Sequence, residues 1–206
     1  MKLRMLNGSH STIAYLGFLS GYEFVSEAIA DPAFRVLISE LMTEEVMATL
    51  PNGLGDLRRY RDALLERFAN PALKHRTWQI AMDGSQKLPQ RLLGTIRDRL
   101  ARGLSIVRLS LGVAAWMRYV SGIDEQGDAI DVRDPLAVRL RHIADMSGRD
   151  PAELASGLLR VSEVFGEDLH DSTSFRATVT DHLASLFAHG ARETVRRLTR
   201  GQAMTD

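Results

Sequence analysis

A lysine, a carboxamide and an imidazole stand at the spacing K-x4-N-x2-H within the first ten residues, as Lys2, Asn7 and His10. Together they suit the interconversion of a secondary alcohol and a ketone, because each handles a different part of the moving charge. A lysine whose pKa is lowered by burial, or by a neighbouring cation such as Arg4, exchanges the hydroxyl proton near neutral pH. An asparagine amide donates to the oxygen as it gains alkoxide character. An imidazole positions the substrate oxygen or the amide without changing charge itself. None of the three is a hydride donor, so a nicotinamide has to come from elsewhere.

Stepping from these groups to what must hold them, an apolar-periodic segment follows at once. A helix beginning near Ser9 puts Asn7 and His10 about one turn apart on a shared face, with Lys2 approaching from the incoming segment. The same residues also read as ordinary structure: Asn7 and Ser9 as N-caps, Gly8 as the turn, Lys2 and Arg4 as a basic terminus. Of the 26 basic side chains only Lys2, Lys74 and Lys87 are lysines. A lysine kept where arginine would supply the charge points to a tunable pKa or a compact head.

A second stretch with chemical potential lies at residues 71–91. A short helix to about Met82 meets the turn-like Asp83-Gly84-Ser85, and a helix from Gln86 onward carries Lys87 and Arg91 at i and i+4 on one face. Two cations at a helix start oppose the macrodipole, so a negative group belongs nearby. A substrate carboxylate fills that role, and so does Asp83, with Lys87 then an ordinary surface residue. His75 and Arg76 precede this helix without an identifiable partner and read as surface. His142, His170, His182 and His189 have no metal-ligand spacing, so no metal is assigned.

The rest of the chain reads as a succession of helices. The patterns place them over 9–30, 32–50, 56–68, 103–120, 135–146, 151–159, 173–188 and 191–200, with a loose tail after them. Asp31-Pro32 and Asn70-Pro71 supply a cap and a break, and Asp134-Pro135 opens the next helix. Residues 103–120 are apolar nearly all round and read as the central buried helix. Residues 52–56 form a turn between helices, and 121–129 an acidic loop without calcium-loop spacing. Gly166 caps a helix end. The arginines of the last helix form one solvated face.

Composition narrows the function classes. A chain of 206 residues with 45% hydrophobic content can bury a sizeable core. With 26 acidic and 26 basic side chains there is no electrostatic case for nucleic acid or an anionic membrane. The absence of cysteine excludes a disulfide framework and a thiolate zinc site. No signal-peptide layout or unbroken apolar span is present, which predicts a soluble, cytoplasmic protein.

The residues also carry a family resemblance. KLRMLNGSHS at 2–11, continuing into AYLG at 14–17, resembles the start of the C-terminal domain of the polyol-specific long-chain dehydrogenase/reductase family, which includes mannitol 2-dehydrogenases and fructuronate reductases (D-mannonate oxidoreductases). RFANP at 67–71, HRTWQIAMDGSQKLPQR at 75–91 and, in outline, AAWMRY at 114–119 resemble the fructuronate reductase branch. The resemblance implies that Lys2 is the general acid/base, that Asn7 and His10 contact the reacting oxygen, and that Lys87 binds substrate. It also implies NAD as cofactor and a Rossmann-type nucleotide-binding domain ahead of the lysine. No G-x-G-x-x-G follows a strand-like run in this sequence. The expectation is a single all-α domain over residues 1–206, with the nucleotide-binding domain absent and no cofactor-binding residues of its own.

The expected activity is NAD-dependent interconversion of D-fructuronate and D-mannonate, with Lys87, and Arg91 beside it, holding the distal carboxylate. The expected partners are a sugar-acid or polyol substrate and the nucleotide-binding domain. Mannitol/fructose chemistry is the runner-up within the class. A truncated fragment and a sugar-acid-binding module without catalysis stand outside it.

Overall fold

The computed structural model describes residues 1–51 and 53–202, with side chains through Arg200. Asn52, part of the predicted 52–56 turn, and the predicted tail at 203–206 lie outside the described residues. Among the described residues there are helices and isolated bridges but no strand, so the fold is all-α, as the patterns predict.

The chain enters through a π-helical turn (Leu3–Asn7) that runs without a break into α1 (Gly8–Leu19). Asn7 and Ser9 therefore cap nothing, because the helix is already wound before them. The predicted helix over 9–30 is two. Gly21 at φ 81° ends α1, and the Tyr22 N–H folds back to the Gly17 carbonyl at 2.9 Å, which satisfies one of its last acceptors. α2 (Val25–Ala30) and α3 (Pro32–Glu40) follow. α3 starts where Asp31-Pro32 predicts, the Asp31 carboxylate accepting from the Ala33 N–H at 2.9 Å.

α3 continues through a second π-helical segment (Leu41–Val46) and a 3-10 turn (Met47–Thr49). α4 (Leu57–Ala69) is capped by Asp56 and ended by Asn70-Pro71. The predicted short helix over 71–82 is a 3-10 turn (Pro71–Leu73) followed by α5 (Thr77–Ala81). α6 (Gly84–Leu88) passes into a third π-helical segment (Pro89–Leu93) and then α7 (Gly94–Leu100). Proline at 89 cannot donate to the carbonyl four residues back and crowds it, so the helix widens there.

α8 (Val107–Val120) is the axis of the molecule: every residue but Val107 is buried, and it packs against α1 and the last helix. It begins four residues later than the apolar run suggests, because its cap comes from far away in sequence. The Glu45 carboxylate, wholly buried on the second π segment, accepts from the Arg108 and Leu109 N–H groups at 2.8 and 2.9 Å. A carboxylate at these orphan donors also complements the helix dipole. Arg108 binds Glu40 at 2.8 Å, and Arg99 donates to the carbonyls of Glu44, Glu45 and Ser105. Burial pushes the Glu45 carboxyl above its ordinary value, and the two backbone N–H bonds and Arg108 pull it back.

α9 (Ala137–Met146), α10 (Pro151–Leu159), α11 (Ser162–Asp171) and α12 (Thr173–Gln202) close the body, with α12 lying along both α8 and α10. α11 and α12 are interrupted at the positive-φ glycines Gly166 and Gly190, and the two helices predicted over 173–188 and 191–200 lie on either side of the kink at Gly190.

Candidate active site

The K-x4-N-x2-H residues sit on one continuous helix whose winding changes between them. In an α-helix of about 3.6 residues per turn, positions five apart fall on different faces. A π-helical turn closes its hydrogen bond at i→i+5 and brings that position back over the first. The Gly8 N–H to Leu3 carbonyl bond is such a closure. Lys2 and Asn7 are thus one wide turn apart, and Asn7 and His10 are three residues apart where the winding has become α. Local sequence does not mark this change, and Lys2 arrives as part of the helix rather than on a separate incoming segment.

Lys2 is exposed and makes no hydrogen bond or ion pair among the described residues. Arg4, the cation expected to tune it, is engaged elsewhere, paired with Asp98 at 2.5 Å. Asn7 is half-buried and its amide has no hydrogen-bond partner among the described residues. None of the candidate residues lines the cleft of about 180 Å³ at Arg118, Arg141 and Phe187 or that of about 380 Å³ at Tyr22, Thr77 and Trp78.

His10 is the deepest of the three. Its ring stacks on Phe68 of α4 at 4.6 Å and meets the His75 ring edge-on at 5.5 Å. Burial, then the charges of His75, Arg91 and Arg67, push its pKa down from 6.5 to about 4. The imidazole is therefore neutral at physiological pH, and its Nε2 is buried without a hydrogen-bond partner. A buried polar atom left open is costly unless something fills it.

Arg91 is brought to the same place by a close approach of two backbones. A Cβ built on Gly8 would stand 2.8 Å from the Arg91 carbonyl oxygen, so only glycine lets the start of α1 lie on the third π segment. Arg91 Nη1 donates to Ser11 Oγ at 3.0 Å, and burial lowers its pKa. Lys87 is occupied differently. Its ammonium donates to the Met82 carbonyl at 2.5 Å, with the Ile80 carbonyl at 3.5 Å and the Asp83 carboxylate at 3.8 Å. The countercharge sought for the Lys87/Arg91 pair is thus partly the C-terminal end of α5. Burial and Arg91 still hold the Lys87 pKa below its ordinary value, against the pull of Asp83 and Asp134. The turn before it is locked by Asp134, which accepts from the Ser85 N–H and hydroxyl at 2.7 and 2.6 Å.

The structure thus brings Arg91 against the start of α1 near His10, holds Lys87 by backbone carbonyls, and leaves Lys2 exposed. It adds two residues that the spacing did not single out. His75, read from sequence as surface, faces His10, and Arg67 contributes to the field on that imidazole. Both come from segments flanking Asn70-Pro71, where no periodicity shows that they fold onto α1.

Residues 1–187 match the family model described as the mannitol dehydrogenase C-terminal domain. The chain belongs to the mannitol dehydrogenase family. Members of this family are oxidoreductases. The D-mannonate oxidoreductase of Escherichia coli (strain K12) is 51% identical over 201 residues, 96% of this chain and 40% of that protein. A mannitol 2-dehydrogenase of Phaeosphaeria nodorum is 41% identical over 196 residues, 95% of this chain and 33% of that protein. The structure of Pseudomonas fluorescens mannitol 2-dehydrogenase, in ternary complex with NAD and D-mannitol, superposes with a TM-score of 0.90 at 35% identity, covering 97% of this chain and 40% of that one. The chain therefore spans well under half the length of the family members it matches.

Proposed function

We propose that this chain is the substrate-binding and catalytic domain of an NAD-dependent dehydrogenase that interconverts D-fructuronate and D-mannonate. The observation that carries the reading is the neutral His10 imidazole with its open Nε2, one α-helical step beyond Asn7 and within the field of Arg91, whose segment lies against Gly8. A nicotinamide, when bound, takes the hydride from the carbinol carbon of mannonate or returns it to the ketone. The described residues form no βαβ unit of the kind that cradles a dinucleotide, so a separate nucleotide-binding domain holds the nucleotide.

In the oxidative direction the Lys2 amine takes the hydroxyl proton as the carbon–oxygen bond becomes a carbonyl. The Asn7 amide donates to that oxygen while it carries alkoxide charge. Neutral His10 donates or accepts through Nε2 and orients the carbinol. Arg91 holds the distal carboxylate, with Lys87 behind it supporting the positive field. In the reductive direction the protonated Lys2 returns the proton. The similarity to a mannitol 2-dehydrogenase structure bound to D-mannitol favours, as second reading, the mannitol/fructose pair with the same proton chemistry.

Mixing the chain with a nucleotide-binding half expressed separately, then following NADH oxidation in the presence of D-fructuronate or D-fructose, tests the reading. Turnover faster on fructuronate is expected. No turnover on any hexuronate or ketose, with both halves folded and associated, would eliminate it.

A further inference from the structure

We infer that Arg67 and His75 join Arg91 in a carboxylate-reading cluster around His10, and that this cluster, rather than Lys87, selects sugar acids over neutral polyols. The inference rests on the reading of this face as a substrate site, and names the residues that read one end of the substrate.

Three elements bring the cluster together. Arg67 stands in the last turn of α4 beside Phe68, whose ring lies 4.6 Å from that of His10. His75 lies in the segment that leads into α5, its ring 5.5 Å from His10. Arg91 lies on the third π segment, held against α1 by Gly8 and by its bond to Ser11. The groups whose charges act on His10 are His75, Arg91 and Arg67, with no carboxylate among them.

Other arginines of this protein are answered within the fold, some by backbone carbonyls, as Arg102 and Arg118 are, and some by carboxylates. Arg4, Arg35, Arg76, Arg97, Arg139 and Arg141 each bind a carboxylate at 2.5–2.8 Å. The Arg67 side chain, exposed at the end of α4, makes no hydrogen bond or ion pair among the described residues, and the Arg91 side chain donates to a serine hydroxyl. Lys87 is unsuited to be the principal reader, since its compact ammonium already serves the carbonyls of Met82 and Ile80. A guanidinium offers a planar fork that matches both oxygens of a carboxylate, which an ammonium does not. A sugar acid laid across this face would meet His10 with a hydroxyl and the arginines with its carboxylate. A neutral polyol would leave both guanidinium groups and the His75 ring unanswered.

The test is a titration of the chain with D-mannonate and with D-mannitol, followed by NMR of the histidine ring signals. His182, whose Nε2 lies 2.8 Å from the Val107 carbonyl beneath the surface, reports on whether the fold is intact. D-Mannonate should shift the His10 and His75 rings saturably, at least about tenfold more tightly than D-mannitol. Arg67→Gln and His75→Asn should each weaken mannonate by roughly tenfold, the scale of one charge-assisted hydrogen bond, with mannitol and the His182 signal unchanged. Lys87→Met should keep the preference for the acid.

Rings unmoved by mannonate, or variants that weaken acid and polyol alike, overturn the inference. The two readings fail separately. If mannonate binds as described but the chain joined to its nucleotide-binding half oxidises no sugar acid or polyol, the cluster stands and the dehydrogenase reading falls. If that assembly turns over mannonate and Arg67→Gln leaves its KM unchanged, the dehydrogenase reading stands and the cluster falls.

Discussion

Two regions of this molecule bury polar groups and treat them in opposite ways. At the start of α8, Glu45 lies at 0% exposure, yet its oxygens are satisfied by two backbone N–H groups, and its neighbours Arg99 and Arg108 are bonded in turn. On the face of α1, His10 Nε2 is buried and open, and the nearby Arg67 and Arg91 lack carboxylates. The first arrangement is closed and holds helices together. The second has unmet demand, and a site waiting for an oxygen-rich ligand has that form.

The sharpest way to break the comparison is at Lys2, which the closed region does not need at all. In the enzyme assembled with its nucleotide-binding domain, Lys2→Ala should lower kcat by about 100- to 10,000-fold, the usual contribution of a general acid/base. Cofactor affinity and melting temperature should stay as they were. Unaltered turnover would remove Lys2 from the mechanism.

Glu45→Ala strikes the closed region instead. Removing one partner of a buried ionic network costs about 3–5 kcal/mol, here with two α8 N–H groups left unpaired. Chemical denaturation should show that loss, and a change under about 1 kcal/mol would mean that the network is not structural.

Gly8→Ala tests the joint between core and site. The added methyl meets the Arg91 carbonyl, a backbone atom that cannot rotate away. The cost should be about 1–3 kcal/mol of stability, with a drop in kcat/KM larger than that of an alanine placed at Gly94, where a Cβ meets nothing nearer than 3.7 Å. Equal effects at the two glycines would show that the backbone contact does not set the site.

The smallest effect is a slope. His10 has a folded pKa of about 4 against 6.5, so between those values the unfolded chain binds more protons than the folded one. Stability attributable to this group is fully present above pH 6.5 and declines as pH falls to 4, by about 2 kcal/mol allowing for partial exposure. Buried His182, also shifted down, adds a slope of the same sign. His10→Gln should flatten the curve and leave the His182 portion. A curve identical to that of the unmutated chain would show that His10 is not held neutral.

What the sequence shows and hides follows the same division. The cap written locally at Asp31-Pro32 and the helix start at Pro151 appear in the structure where they were expected. So does the all-round apolar character of α8. The cap of α8 was not legible, since Glu45 precedes it by more than 60 residues and an acidic residue on a helix ordinarily faces water. The pairing of His75 with His10 was hidden for the same reason, with both residues sitting in turns or helix starts that have no phase of their own. The π-helical turn at 3–7 was hidden more deeply, because an extra residue per turn leaves no compositional trace.

That turn has a mechanical consequence. α1 is fixed to α8 over its whole length, but the angle at which Lys2 leaves the helix axis is decided by how five residues are wound. Deleting Arg4 would let the segment take the ordinary pitch, at the loss of its pair with Asp98 and with buried Met5 kept, and would carry the amine around the axis from the side of Asn7. The position of the proton carrier is thus stored in a local count of residues per turn, as a hand is set on a clock whose movement is left alone.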